Sequence, residues 1–114
     1  MADDPISSRH SQWLKGVLDL CVLGLLATGD QYGYEIARQL EGRGLGRING
    51  GTLYPLLARL EGESLVSGKW KPSEQGPERK YYALTVEGME LLQAAAPLWR
   101  EFAGRAHGVM GGGR

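Results

Sequence analysis

VSGKWKPSEQGPERKYYALT, residues 66–85, is the stretch on which the fold turns. Val66, Gly68 and Trp70 alternate with Ser67, Lys69 and Lys71, and Lys80, Tyr82 and Leu84 alternate with Arg79, Tyr81 and Ala83. A two-residue period is the mark of a strand whose two sides meet different surroundings. Between the runs lies Pro72–Glu78 (PSEQGPE), polar and rich in turn formers. The pair predicts a β-hairpin with a loop of several residues.

On the C-terminal side, Thr85 is placed to cap a helix, with Leu84 and Met89 as a hydrophobic staple. Its body carries two stripes, Leu91, Ala95, Leu98, Phe102 and Leu92, Trp99, Ala106, and Pro97 is expected to kink it. The helix is expected over 86–107, with 108–114 a flexible glycine-rich tail. On the N-terminal side, Leu53, Leu56, Leu57 and Leu60 form a stripe at helical spacing. That helix opens at Asn49-Gly50-Gly51-Thr52, with Asn49 or Thr52 as cap and Pro55 acceptable only in the first turn. Arg43 and Arg47, interleaved with Gly42, Gly44 and Gly46, make a flexible basic connection back to a helix over Tyr32–Glu41 that buries Ile36 and Leu40.

Thr28-Gly29-Asp30 is a turn, and before it runs a helix from Trp13 in which Leu14, Val17, Leu18, Leu20, Cys21, Val22, Leu23, Leu25 and Leu26 are apolar on nearly every side. A helix apolar all round must be covered all round. A domain of this size covers one side, so the other is expected to meet a second copy. Residues 1–12 are polar and read as a flexible arm. The order helix, helix, helix, hairpin, helix gives an α+β fold, mostly α: a winged helix-turn-helix over 13–85 followed by a C-terminal dimerisation helix.

The 114 residues suffice for one domain. Thirteen basic and thirteen acidic side chains cancel, which excludes a generic polyelectrolyte binder. The lone Cys21 forms no internal disulfide and reads as a buried, inert thiol; with only His10 and His107 beside it, no metal site and no cofactor are expected. No secretory leader and no membrane-length apolar run are seen, so a cytoplasmic protein without a membrane partner is expected. No nucleophile, base and orienting group recur at usable spacing, which argues against an enzyme.

Charge is unevenly spread. Arg38, Arg43, Arg47 and Arg59 face a single acid, Glu41, between Ile36 and Leu60, and Lys69, Lys71, Arg79 and Lys80 outnumber Glu74 and Glu78 in the hairpin. A basic face on the helical pair and hairpin is the footprint of a double-stranded DNA binder. The third helix would enter the major groove by its first turn, presenting Asn49, Gly51, Thr52 and Tyr54, with Arg59 further along. That turn carries no arginine or lysine, so the commonest guanine contact is missing. Arg79 and Lys80 flank the hairpin tip and are candidate backbone contacts; Lys69 and Lys71 either join them or guard a strand edge from aggregation. Trp99 lies on the second stripe of the last helix and, with Trp13, is expected at a dimer interface, where an aromatic ring can also stack on a flat ligand. The candidate ligand and dimer surface comprises Trp13, Leu14, Val17, Leu18, Leu92, Ala95, Trp99 and Phe102.

Leu18-Asp19-Leu20 through Leu25-Leu26, Gly33-Tyr34-Glu35-Ile36, Gly51-Thr52-Leu53-Tyr54-Pro55-Leu56-Leu57 with Arg59-Leu60-Glu61, and Arg79-Lys80-Tyr81-Tyr82-Ala83-Leu84-Thr85 with Glu87-Gly88 resemble the PadR family of bacterial transcriptional regulators. The resemblance implies a winged-helix homodimer that usually represses its target genes and is often relieved by small-molecule or other cues; for such a dimer a roughly palindromic operator is expected. It assigns the recognition-helix tyrosine to Tyr54 and the wing bases to Arg79 and Lys80. With one helix after the wing, the chain is similar to a compact subfamily in which a tryptophan placed like Trp99 stacks on planar aromatic drugs between protomers. Pro97 departs from a straight last helix, and Ser64 stands where the family usually has glycine. A protein-interaction module using the same fold without specific DNA binding is the alternative. Zero net charge favours it; the clustered bases and the family blocks oppose it more strongly.

Overall fold

A computed structural model describes residues 4–112, and the expectations for residues 1–3 and 113–114 lie outside the described residues. The first helix, α1 (Pro5–Leu26), starts well before Trp13. Asp4 caps it, its carboxylate accepting from the Ser7 amide at 2.9 Å, and Pro5 occupies the first helical position. An aspartate followed by proline is a sound helix start. The polar segment expected as an arm is therefore helical from Pro5 onward; its first turns, rich in serine, show no apolar period to reveal it.

A two-residue strand, β1 (Gln31–Tyr32), runs directly into α2 (Gly33–Gly42), and Glu35 accepts from the Tyr32 amide at 3.1 Å to close its first turn. The next helix, α3 (Gly50–Gly62), is capped by Asn49, which accepts from the Thr52 amide at 3.0 Å, so Asn49 takes the capping role and Thr52 does not. Pro55 lies beyond the first turn. The carbonyl its missing N–H leaves free belongs to Gly51, an exposed residue, which makes the interior proline tolerable.

The hairpin consists of β2 (Val66–Ser73) and β3 (Gly76–Leu84), paired from Val66 with Leu84 to Lys71 with Arg79, then Ser73 with Gly76. The register shifts between Lys71 and Ser73, where Pro72 cannot donate to the ladder. The connection is thus Glu74-Gln75 alone, shorter than the loop expected. β1 pairs with the other edge of β3, Gln31 opposite Tyr82 and Tyr32 opposite Tyr81, giving the antiparallel order β1-β3-β2. A two-residue strand is too short to carry a period, and nothing in the sequence announced it. The last helix, α4 (Val86–Val109), passes through Pro97 without interruption and ends beyond the expected 107.

Leu14, Leu18, Val22, Leu23, Leu25 and Leu26 of α1 meet Ile36, Leu40, Leu53, Leu57, Leu60, Val66 and Tyr82 in one core. Each such leucine contributes about 1.5–3 kcal/mol by leaving water. Leu14 and Leu18, expected at an interface between copies, are 7% and 4% exposed and belong to this core instead. The apolar periphery of α1 does divide into an inner and an outer side, but these two leucines fall on the inner one. Buried Gln31 ties the layers together: its amide donates to the Leu25 carbonyl at 2.9 Å and accepts from the Gln39 side chain at 2.7 Å. At the sheet's far end, Thr85 donates to the Ser64 carbonyl at 2.7 Å and accepts from the Gly88 amide at 2.9 Å, docking the start of α4 on the turn after α3.

Candidate nucleic-acid interface

Among the expected DNA-facing residues, Tyr54, Arg79 and Lys80 line one open groove between the start of α2, α3 and the hairpin, in company with Tyr32, Tyr34, Trp70 and Glu78. Tyr54 is half exposed, and its ring rests against Gly33. Arg79 sets its guanidinium 4.5 Å from the centre of the Tyr32 ring, and Arg38 lies 5.8 Å from that of Tyr34. Stacking of this kind holds a guanidinium in place while leaving its N–H groups free to donate. Asn49 and Gly51 are exposed at the start of α3, with Thr52 partly covered beside them. Arg59 and Lys69 are exposed and make no ion pair among the described residues.

Two of the expected bases are engaged within the protein. Lys71 lies 4.8 Å from the Tyr81 ring centre and 3.9 Å from the Asp30 carboxylate, an exposed pair of little energetic weight. Lys80 donates to Glu61 at 2.9 Å, and its hydrocarbon stem crosses beside Gly68. The Lys80 hydrogen bond holds the Glu61 carboxyl below its ordinary range, and the same bond raises the Lys80 ammonium above its own. Lys80 therefore does not stand free at the hairpin tip, as its sequence position suggested.

Sequence reasoning passed over Tyr34, Trp70 and Glu61 as site residues and counted Arg38 only within the general basic face. Trp70 shares an alternation side with buried Val66 and so reads as inward, yet it is exposed because the hairpin extends past the helices that cover its base. Tyr34 sits inside a recognised motif, but only the fold brings it beside Tyr54.

A second surface lies away from this one. Trp13, Val17, Trp99, Phe102, Ala103, Ala106 and Met110 wall an apolar groove of about 600 Å³ between α1 and α4. Trp13 is 60% exposed, Trp99 45% and Phe102 67%, a cost that an isolated chain does not recover. Ala95 is partly covered and outside the groove, and Leu92 packs against the core. Cys21 is partly buried; burial, and secondarily the charge of Asp19, push its thiol up and keep it in the unreactive form. Among the described residues, no helix is long and apolar enough to cross a membrane, and no three metal-ligating side chains cluster.

The sequence pattern of the transcriptional regulator PadR-like family matches residues 22–94, which span the last turn of α1, β1, α2, α3, the hairpin and the first third of α4. A PadR family transcriptional regulator from Eggerthella lenta superposes with a TM-score of 0.84 at 31% identity, covering 95% of this chain and 94% of that one. A PadR-like regulator from Bacillus cereus gives 0.76 at 36% identity, covering 87% and 96%. An uncharacterized protein of Lysinibacillus sphaericus is 32% identical over 94 residues, 81% of this chain and 86% of its own length. The arrangement of three helices, a hairpin and a trailing helix is the winged helix-turn-helix of these regulators. The chain belongs to the PadR-like family of transcriptional regulators, whose members act on DNA and are not enzymes.

Proposed function

We propose that the chain is a cytoplasmic, homodimeric repressor that binds a palindromic operator, with α3 in the major groove and the hairpin as a wing on the flanking backbone. The observation that carries the reading is that Tyr54 of α3 and Arg79 of the hairpin line one groove, although they stand 25 positions apart in the sequence. Asn49, Gly51 and Thr52 supply polar contacts at the front of α3, and Arg59, Lys69 and Lys71 add positive charge around it. With no base at the tip of α3, discrimination rests on hydroxyl and ring contacts and on duplex shape. The exposed Trp13, Trp99 and Phe102 support a dimer built on α1 and α4. The same groove, aromatic and nearly free of charge, supports release by a small planar aromatic ligand held between protomers. No resident cofactor enters this reading.

Selection of bound duplexes from a random library at near-physiological salt tests it, alongside sedimentation of the free protein. The expected result is a two-fold symmetric site with half-sites about one helical turn apart, bound by two copies. Weak, steeply salt-dependent binding with no enriched sequence would favour a protein-interaction module instead.

A further inference from the structure

We infer that Glu61 fixes the angle between wing and recognition helix, and that Lys80 serves DNA binding through Glu61 instead of touching phosphate. The inference rests on the regulator reading above. Glu61 stands in the last turn of α3, and its two carboxylate oxygens hold the two strands of the hairpin separately. Oε1 accepts from Lys80 Nζ of β3 at 2.9 Å, and Oε2 accepts from the Gly68 amide of β2 at 3.2 Å. β2 is an edge strand, so this amide would otherwise be left to water. Among the described residues these are the only side-chain hydrogen bonds from α3 to the hairpin strands.

Gly68 makes the arrangement possible. A β-carbon there would run into the Lys80 stem and stand 2.9 Å from Glu61 Oε2. Lys80 faces Trp70 across the ladder and Gly68 faces Tyr82, so the lysine reaches Glu61 diagonally, over the one position that has no side chain. Carboxylate, ammonium and gap form a single fitting at the root of the wing.

Leverage gives that root its importance. From Gly68 to Ser73 the strand runs five residues, about 17 Å, so a swing of about 10° at the root displaces the tip by about 3 Å. A hydrogen bond to phosphate does not survive such a displacement. A wing free to swing loses its DNA contacts while α3 keeps its own.

The charge of Glu61 makes the test one of sign. Removing an acid from a DNA-facing region strengthens binding if bulk electrostatics is all that matters. We expect Glu61→Ala to weaken binding to the selected operator about tenfold, Lys80→Met to do the same, and the double variant to be no worse than either. Glu61→Gln keeps an acceptor for Gly68 and should lose less. Footprints of the variants should keep the protection at the centre of each half-site and lose it at the flanks, with melting temperature nearly unchanged. Binding equal to or tighter than the parent's overturns the inference, as do additive losses, which mean that Lys80 touches DNA directly. A uniform loss of protection that tracks a fall in melting temperature overturns it too. Each of these leaves the regulator reading intact, whereas a parent protein that selects no duplex removes both.

Discussion

Tyr54 and Gly33 share a space that has no room for a methyl group: a β-carbon on residue 33 would stand 2.6 Å from the tyrosine hydroxyl. The first residue of α2 thereby sets where the ring of Tyr54 on α3 lies. Gly33→Ala should swing the ring away and cost about 1–2 kcal/mol in operator binding, comparable with losing one specific contact. Stability should hold or rise slightly, because alanine suits a helix better than glycine. Titration of the selected duplex and a thermal melt separate the two effects. A large fall in melting temperature would show that the ring cannot move aside. Tyr54→Ala and Arg79→Ala should likewise weaken binding with little change in melting temperature.

Ser64 has φ of 63°, a left-handed conformation that costs a residue with a side chain about 1–2 kcal/mol. The Thr85 hydroxyl on its carbonyl helps hold it there. Ser64→Gly should stabilise the fold by about 0.5–1 kcal/mol after glycine's greater loss of chain entropy is set against the strain. Thermal unfolding checks it; no gain would mean that the hydrogen-bonded turn already offsets the strain.

Two glycines of α4 should respond in opposite senses. A β-carbon at Gly88 would overlap the Leu65 carbonyl and stand 2.7 Å from Leu84, whereas at Gly104 it would meet nothing within 4 Å. Gly88→Ala should cost about 2–3 kcal/mol by overpacking the α4 dock, and Gly104→Ala should gain about 0.5–1 kcal/mol by helix propensity. Equal effects at both sites, in denaturant titrations, would contradict this packing.

Trp99→Ala should raise the dimer dissociation constant at least about tenfold, as truncation of a central aromatic does at an interface, or abolish quenching by planar dyes. Sedimentation over a concentration series and dye titration read these outcomes. If neither changes, Trp99 belongs to neither surface.

The Glu61 carboxyl is held below its ordinary 4.5 by the Lys80 hydrogen bond. Stability from that link is fully present above 4.5 and is lost only as pH falls through the lower folded value. Lys80, raised above 10.5 by the same bond, contributes below 10.5 and loses its share only as pH climbs through the higher value. The Gly68 amide resonance should therefore shift on acid titration with a midpoint below 4.5. A midpoint at or above 4.5 would mean that the pair is not formed in solution.

Much of this architecture could be read from periodicity, because a two-residue alternation and a 3.6-residue stripe each dictate which atoms leave water. The hairpin pairing from Val66 to Lys71 and the stripe of α3 were legible for that reason, whereas the placement of Tyr54 and Arg79 in one groove came only with the fold. What escaped was whatever depends on contacts between distant residues or on too few residues to repeat. β1 is two residues long. Trp13 and Leu14 are apolar neighbours on α1, and only burial in the core shared with Leu53 decides that Leu14 faces in while Trp13 stands out. The partner of Lys80 is 19 residues away, and the need for glycine at 68 and 88 comes from side chains and backbone that no local pattern mentions. Asp4-Pro5 was a legible helix start, hidden because the turns after it are polar.

The walls of the apolar groove, Trp13 and Val17 on α1 and Trp99, Phe102 and Ala106 on α4, share no residue with the groove of Tyr54 and Arg79. On α1 the core depends on Leu14 and Leu18, and Trp13 and Val17 beside them carry none of it. What the apolar groove admits can therefore be rewritten without touching either the core or the other groove. A library randomised at those five positions would vary one surface of the molecule while the other stays constant.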